Sequence, residues 1–347
     1  MFRKLRKYDP ASSEVIESYP KVSVIICARD EEENLKCNLP HIIAQDYPVF
    51  EIIVVNDHSV DGSERILQKF QKEHQHFKYL NVKGKNKGWQ GKKKALALGI
   101  GFSQHDLLIM TDADTRPQSD QWIRQMTNQF KNTTEIVLGF SPYKRLSGIL
   151  NAFIRYETFQ TALQYLSYAL AGLPYMGVGR NLSYRKSLFT RNNGFEDHKT
   201  ISGDDDLFVN ANSNTHNTRI CIDESAFMYS MPETSWTGWL KQKYRHLSTG
   251  FQYKAVHKLL LGGYIGSQIM FYLSLIVLLI VGIPLWIVAA IYLLRLVVMM
   301  YNYNEVMKKL DSSDLIKYVP ILDVFYTFYY IVFIPKLLFK PNLTTWK

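Results

Sequence analysis

Between Lys21 and about Phe140 the chain alternates short runs of Val, Ile and Leu with segments whose apolar residues return at helical spacing. That is the pattern of βα units feeding a parallel sheet. Val22 to Cys27, Phe50 to Val55, Tyr79 to Val82 and Leu107 to Met110 predict strands. Glu33 to Ala44, Ser63 to Glu73, Lys92 to Ile100 and Asp120 to Phe130 predict the helices between them, with Ser63 and Asp120 placed to cap the helices they begin. A doubly wound α/β domain over residues 21–258 follows. In such sheets ligands bind outside the carboxyl ends of the strands, and Asp30, Asp57, Asp112 and Asp114 fall at that rim.

Leu150, Phe153, Tyr156, Phe159, Leu163, Leu166 and Leu170 recur at helical spacing, with Arg155 and Glu157 the charges among them. Residues 148–173 therefore predict one long helix, either packed in the core or lying amphipathically at a membrane interface. From Leu259 to Leu294 there is no Asp, Glu, Lys or Arg in 36 consecutive residues. A spanning helix needs about 20 apolar residues, and Gly282-Ile283-Pro284 supplies a break, so residues 259–301 predict a transmembrane hairpin. Residues 302–347 hold Lys308 and Lys309, read as a cytoplasmic loop. They also hold a third apolar stretch, Leu315 to Phe339, broken by Lys317, Asp323 and Lys336, which either crosses the bilayer, re-enters it or lies along its surface. Residues 1–20 read as a cytoplasmic tail, because polar residues stand where a secretion signal needs its apolar stretch.

Composition narrows the class of partner. Of 347 residues, 47% are hydrophobic and 21% charged, enough apolar surface for a packed core and too much for a disordered chain. The formal charge of +10 favours an anionic partner such as nucleotide phosphates or lipid headgroups. Cys27, Cys37 and Cys221 form no CxxC pair, which fits a reducing compartment, with each thiol expected to be a small buried apolar group. Nucleic acid is disfavoured, since binding it would interleave aromatic residues with the Lys83 to Lys94 cluster and only Trp89 is there.

Four local patterns carry chemistry. Asp112-Ala113-Asp114 puts two carboxylates on one side of an extended backbone past a strand end, which suits Mg²⁺ or Mn²⁺ shared with substrate phosphates. Such a triplet is equally the composition of a solvated turn. Lys83 to Lys94 holds six lysines and three glycines ahead of a helix, the ingredients of a phosphate cradle without P-loop spacing. Gly203-Asp204-Asp205-Asp206 sets like charges side by side, which raises at least one carboxyl pKa and so makes a general base, or simply caps a helix. In Gln242-Lys243-Tyr244-Arg245-His246, Arg245 can grip a phosphate or face lipid headgroups.

Taken in order, these elements resemble the membrane-bound family 2 inverting glycosyltransferases. The resemblance runs through Val24 to Glu31, Val54 to Ser59 with Asp61-Gly62-Ser63, the Gly88 to Ala95 loop, Asp112 to Asp114, Gly179-Arg180-Asn181, Gly203 to Asp205 and Gln242 to His246. It implies a GT-A-like, Rossmann-type nucleotide-sugar-binding domain followed by C-terminal transmembrane helices. By the same resemblance Ala28, Glu31 and Asp57 hold the nucleoside, and Asp112 closes over the ribose and diphosphate. Lys92, Asn181 and His246 line the substrate, and Asp114 with Asp112 binds the divalent metal. Asp205, beside Asp204, is then the general base, and Gln242 and Arg245 cover the diphosphate. His246 departs from the pattern, which has Trp there in processive synthases. That departure favours transfer of a single sugar over polymer synthesis.

The expectation is therefore an inverting, metal-dependent transferase. It would move sugar from a nucleotide-diphosphate donor, with UDP-sugar preferred, to a membrane-associated glycan or lipid-linked acceptor. Its catalytic domain would face the cytoplasm at a bacterial inner membrane. The rival readings are a short processive polysaccharide synthase and a non-catalytic membrane subunit that binds a nucleotide sugar or lipid.

Overall fold

The computed structural model describes residues 2–10, 19–82, 92–131, 133–195 and 203–339; the side chains of His246, Ser248 and residues 334–339 also lie outside the described set. In chain order, α1 (Phe2–Lys7) precedes β1 (Val22–Ala28), α2 (Glu32–Ile43), β2 (Phe50–Asp57), α3 (Ser63–Glu73), β3 (Phe77–Val82), α4 (Lys92–Phe102) and β4 (Leu107–Asp112). Then come β5 (Thr115–Pro117), α5 (Trp122–Thr127), β6 (Ile136–Gly139), α6 (Ile149–Leu170), β7 (Leu182–Arg185), α7 (Lys186–Arg191), α8 (Asp206–Asn212), β8 (Thr218–Cys221), β9 (Met228–Ser230) and α9 (Trp236–Thr249). Three long helices follow: α10 (Ala255–Ile280), α11 (Leu285–Lys309) and α12 (Val319–Phe339).

All seven residues of β1 are buried, because helices cover both faces of a strand at the centre of its sheet. Ile25, Ile53, Val55, Leu108 and Met110 pack on the face covered by α4 and α6, and Val24, Ile26, Ile52, Val54 and Ile109 on the face covered by α2 and α5. Ile25 lies opposite Ile53 on one side and Met110 on the other. The sheet order is β3-β2-β1-β4-β7-β6-β8, with β5 and β9 forming a separate pair.

The sheet is mixed, which the strand pattern did not predict. β1 to β4 are mutually parallel, but β7 runs antiparallel to both β4 and β6. β6, β7 and β8 are four residues each, and Ser183, Arg185 and Arg219 interrupt their apolar runs, so no sequence period announces them. The expected caps are also displaced. Gly62 holds the N-cap position of α3, and the Ser63 hydroxyl, inside the helix, accepts the Glu31 N–H at 3.0 Å. α5 begins at Trp122, and the Asp120 carbonyl accepts the Asp46 N–H at 2.9 Å. Cys27 and Cys221 are buried, whereas Cys37 is exposed.

Residues 148–173 form the core-packed alternative of their two readings. Most of α6 is buried, including the polar Asn151, Arg155, Glu157, Gln160 and Gln164, because the sheet covers one flank and α11 and α12 the other. Arg155 makes a two-pronged contact with Asp314, at 2.7 and 2.8 Å. The chain turns between α10 and α11 at Gly282 to Pro284, and α11 continues to Lys309, past the loop expected from 302 onward. The Lys309 ammonium closes the end of α1, donating to the carbonyls of Arg6 at 2.5 Å and Tyr8 at 2.6 Å. Three C-terminal helical segments, Ala255–Ile280, Leu285–Lys309 and Ser313–Phe333, are long and apolar enough to cross a membrane.

Candidate active site

The carboxyl end of β4 turns directly into the Asp112-Ala113-Asp114 triplet, and that turn is pinned from several sides. The Thr111 hydroxyl meets the Thr115 hydroxyl at 2.6 Å and donates to the Arg180 carbonyl at 2.9 Å. The Thr115 hydroxyl donates to the Asp112 carbonyl at 2.6 Å, and Asn38 donates to the Ala113 carbonyl at 2.9 Å. Fixed backbone leaves the two carboxylates with little freedom to separate.

Lys92, the first residue of α4, lies 2.5 Å from Asp112 Oδ1 and 3.4 Å from Asp204 Oδ2. Burial by itself lowers its pKa, but the charges of Asp112, Asp204 and Asp205 outweigh burial and hold the ammonium pKa well above its usual value. The effect is mutual. Burial would raise the Asp112 carboxyl, but Lys92, with help from Arg180 and Arg245, keeps it below the normal carboxylate range.

Gly203 enters the acidic run at φ +96°, a conformation glycine adopts without steric penalty, and the chain then starts α8. The three carboxylates behind it have separate fates. Asp204 faces Lys92. Asp206 is tied down by Thr249 at 2.5 Å and Tyr253 at 2.7 Å. Asp205 accepts the Gly179 N–H at 2.6 Å and the Asp206 N–H at 2.8 Å. Burial, then the charges of Asp204 and Asp206, push its carboxyl up to about 7.

These residues line one cavity of about 680 Å³. From the strand ends and their loops it is lined by Arg29, Glu31, Lys92, Asp112, Asp114 and Arg180, and α9 contributes Gln242 and Arg245, one helical turn apart. From the long helices it is lined by Glu157, Thr158, Thr161 and Gln164 of α6, with Tyr264 of α10 and Tyr330 of α12. Among the expected site residues, Glu31, Lys92, Asp112, Asp114, Asp204, Asp205, Gln242 and Arg245 all line it.

Others do not. The Ala28 side chain is fully buried in the core of the sheet. Asp57 lies 2.7 Å from the His58 ring, and its charge reaches the Cys27 thiol alongside those of Asp112 and Asp204. Asn181, expected on the substrate, is wholly buried: it accepts from the Trp122 indole at 2.9 Å and donates to the Phe140 and Ala226 carbonyls. Every polar atom of that side chain is spent inside the protein, so its contribution is to hold the Gly179–Asn181 turn in place. The His246 side chain and the glycine-lysine loop at residues 83–91 fall outside the described residues.

Sequence reasoning missed two features. Arg180 was noted only as part of a motif; its guanidinium lies 4.4 Å from the Tyr143 ring centre, and burial notwithstanding, Tyr143, Asp114 and Asp112 strengthen its hold on the proton. Glu157 forms a buried ion pair with Lys243. The signal for it was present, since a charged residue in the middle of an apolar helix calls for a partner of opposite charge.

Among the described residues no group of three or more His, Cys, Asp or Glu is placed to hold a metal unaided. A hard divalent cation asks for less, one or two carboxylates plus substrate phosphates and water. The donor set fits that demand. Crowding by surrounding protein, then the Asp112 charge, lifts the Asp114 carboxyl to about 6, the behaviour of an anion short of a countercharge.

Comparison with known proteins identifies the family. Residues 107–333, more than half of the chain, match the family described as "Glycosyl transferase family group 2", and residues 23–190 match "Glycosyl transferase family 2". The chain is 28% identical over 246 residues to a probable glycosyltransferase, YdaM, of Bacillus subtilis, across 68% of this chain and 56% of that one. It is 31% identical over 94 residues to the poly-beta-1,6-N-acetyl-D-glucosamine synthase of Staphylococcus epidermidis, across 27% of this chain and 22% of that one. The chain thus matches little more than half the length of the first of these relatives and under a quarter of the second. Its fold resembles the mannosyltransferase PcManGT of Pyrobaculum calidifontis, solved with GDP-Man and Mn²⁺, at a TM-score of 0.59 and 16% identity, covering 94% of this chain and 92% of that one. A GT-A-type sheet carrying its carboxylates at the strand ends, and a family match across most of that unit and the apolar helices, together make this chain a member of the family 2 glycosyltransferases.

Proposed function

We propose that the protein is an inverting glycosyltransferase that moves a sugar from a nucleotide-diphosphate sugar, UDP-linked in the first instance, to a hydroxyl of a membrane-associated glycan or lipid-linked acceptor. The observation that carries this reading is the place of Asp205. Its carboxyl is lifted to about 7, and it sits in one cavity with Lys92, Arg180 and Arg245 and with lining residues from α6, α10 and α12. A base poised near neutral pH takes a proton and still spends much of its time ionised.

In this mechanism the acceptor hydroxyl gives its proton to Asp205 as its oxygen forms the new bond to the anomeric carbon. The bond from that carbon to the diphosphate oxygen breaks with its electron pair, so one displacement converts an α-linked donor to a β-linked product. Arg245 and Gln242 contact the departing diphosphate, and Arg180 adds positive charge where negative charge develops. Lys92 holds Asp112 and Asp204 in position. Asp114 and Asp112 are the residues that would hold Mg²⁺ or Mn²⁺, which supplies Lewis-acid stabilisation of the leaving diphosphate. With α10 to α12 in the bilayer, the catalytic unit faces the cytoplasm, where nucleotide sugars are made.

Calorimetric titration of detergent-purified protein with UDP, GDP and dTDP, with and without Mn²⁺, tests the reading. Metal-dependent binding of one nucleotide, weakened at least tenfold in Asp112→Ala and Asp114→Ala, is the expected result. Folded protein that binds none of the three would overturn it in favour of a non-catalytic membrane subunit. The name of the staphylococcal relative keeps a processive synthase in view, and product length distinguishes it: a ladder of products in place of a single addition would establish polymer synthesis.

A further inference from the structure

Two regions of the cavity lining differ in how their charge is arranged. Lys92, Arg180 and Arg245 gather around Asp112, with Lys92 shared between Asp112 and Asp204 and the further carboxylates Asp114 and Asp205 beside them. Beside the long helices Lys243 is paired, among the described residues, with Glu157 alone, and both side chains are almost fully buried, at 10% and 4% exposure. Around this closed pair the walls offer hydroxyl, amide and aromatic groups. Thr158 and Thr161 stand on α6 one turn apart, Gln164 one turn further on, and the rings of Tyr264, Tyr326 and Tyr330 face them from α10 and α12.

This wall is held rigidly. The Tyr264 hydroxyl donates to Gln160 at 3.1 Å, and Gln160 in turn donates to Tyr303 of α11 at 3.1 Å and Tyr156 at 2.7 Å. The Tyr156 ring packs edge-on against Tyr326, 6.0 Å between centres. One polar cluster therefore sets α6, α10, α11 and α12 in register behind the chamber. Beside Tyr264, Leu261 and Ile265 complete the lining with apolar surface from the first of the long apolar helices.

Resting on the glycosyl-transfer reading, we infer that this chamber beside the long helices is the acceptor site and that it takes an uncharged, polyhydroxyl head group carried on an apolar tail, in preference to a lipid phosphate. Sugar or glycerol hydroxyls exchange hydrogen bonds with Thr, Gln and the Glu157–Lys243 pair, and their C–H faces lie against tyrosine rings. A phosphate entering here would meet a cation already neutralised, and its buried charge would go uncompensated. A tail attached to the head group rests on Leu261 and Ile265 and leaves through the apolar helices, with the reacting hydroxyl directed at Asp205.

The test uses the full-length protein in phosphatidylcholine vesicles and a photoreactive dodecyl glucoside below its micelle threshold, with the cross-linked peptides mapped by mass spectrometry. Competitors are unlabelled dodecyl glucoside, a polyprenyl phosphate and maltose, which supply head plus tail, charge plus tail, and head alone. Cross-links in α6, α10 or α12, displaced at least tenfold more effectively by dodecyl glucoside than by either alternative, are expected. Thr161→Trp should abolish the cross-link by filling the chamber, with nucleotide affinity held within twofold. Glu157→Gln should raise competition by the polyprenyl phosphate at least tenfold by freeing the Lys243 charge, and Glu157→Gln with Lys243→Met should return the neutral preference. Equal or better competition by polyprenyl phosphate or by maltose, or cross-links confined to the outer faces of the helices, would overturn the inference. Nucleotide titration of the same preparation separates the two readings, because loss of nucleotide binding counts against glycosyl transfer and loss of the acceptor preference counts against this site alone.

Discussion

The backbone N–H of Gly179 donates to Asp205 Oδ2 across 2.6 Å, so the turn before β7 orients the proposed base on α8. The close approach depends on the missing side chain, since a Cβ at position 179 would lie 3.0 Å from that same oxygen. Gly179→Ala should push the Asp205 carboxylate aside by a few tenths of an ångström. A misplaced base costs turnover more than binding, so kcat should fall about tenfold or more while nucleotide Kd stays within threefold. Steady-state kinetics beside calorimetry would check the split, and an unchanged kcat would remove Gly179 from the positioning of Asp205.

Asp205 sets a pH dependence. Its folded-state pKa of about 7 means that the ionised base accumulates as pH rises through neutrality, so kcat should climb to half its maximum near pH 7. Asp204→Asn removes a neighbouring negative charge and should move that midpoint to lower pH. Asp205→Asn should cost about 10²–10⁴-fold in kcat with nucleotide binding retained. The stability effect has the opposite sense. A carboxyl whose pKa is raised on folding contributes stability that is present below its unfolded value, near 4, and lost as pH rises through 7. Thermal unfolding of Asp205→Asn should therefore be flatter across pH 4–7 than that of the parent protein.

Lys92 is the common countercharge of Asp112 and Asp204. Lys92→Met should destabilise the α/β unit by about 3 kcal/mol, because two largely buried carboxylates lose their partner. Adding Asp112→Asn to that variant should recover part of the loss. Melting temperatures in detergent would measure both effects, and equal melting of Lys92→Met and parent would show that solvent already screens the cluster.

Within the apolar helices, Arg295 of α11 lies 2.7 Å from Asp323 of α12, and the Tyr272 hydroxyl of α10 donates to the same carboxylate at 2.7 Å. Asp323→Ala leaves the guanidinium without a countercharge, with Gln268 and Tyr272 as its remaining hydrogen-bond partners, and should cost about 3 kcal/mol. Arg295→Met combined with Asp323→Leu should restore the parent melting temperature or exceed it. A single variant as stable as the parent would mean that Arg295 reaches water or lipid headgroups once its partner is gone.

The parallel half of the sheet and the three apolar helices were legible because each follows from a local period. β1, β2 and β4 are runs of Val, Ile and Leu buried on both faces, and 36 uncharged residues leave few soluble alternatives. The acidic residues of the site were legible for a related reason. Asp112 and Asp114 follow a strand and Asp204 to Asp206 open a helix, so their positions at element ends could be counted along the chain.

Fates within the site were settled at longer range. Asp204, Asp205 and Asp206 are chemically identical neighbours, yet one meets Lys92, one keeps a raised pKa beside Gly179, and one is tied to Thr249 and Tyr253. Asn181 belongs to a motif that reads as substrate-binding, but Trp122, Phe140 and Ala226 consume its hydrogen bonds. The antiparallel β7 and the pairing of Glu157 with Lys243 likewise join segments far apart in sequence. The sequence by itself determined the four parallel strands β1 to β4, which C-terminal segments are apolar and where carboxylates cluster, since periodicity and element ends are local properties. Only the tertiary structure decided which carboxylate meets Lys92, which is tied to Thr249 and Tyr253 and which carries the raised pKa, because burial and countercharge depend on residues that only folding brings together.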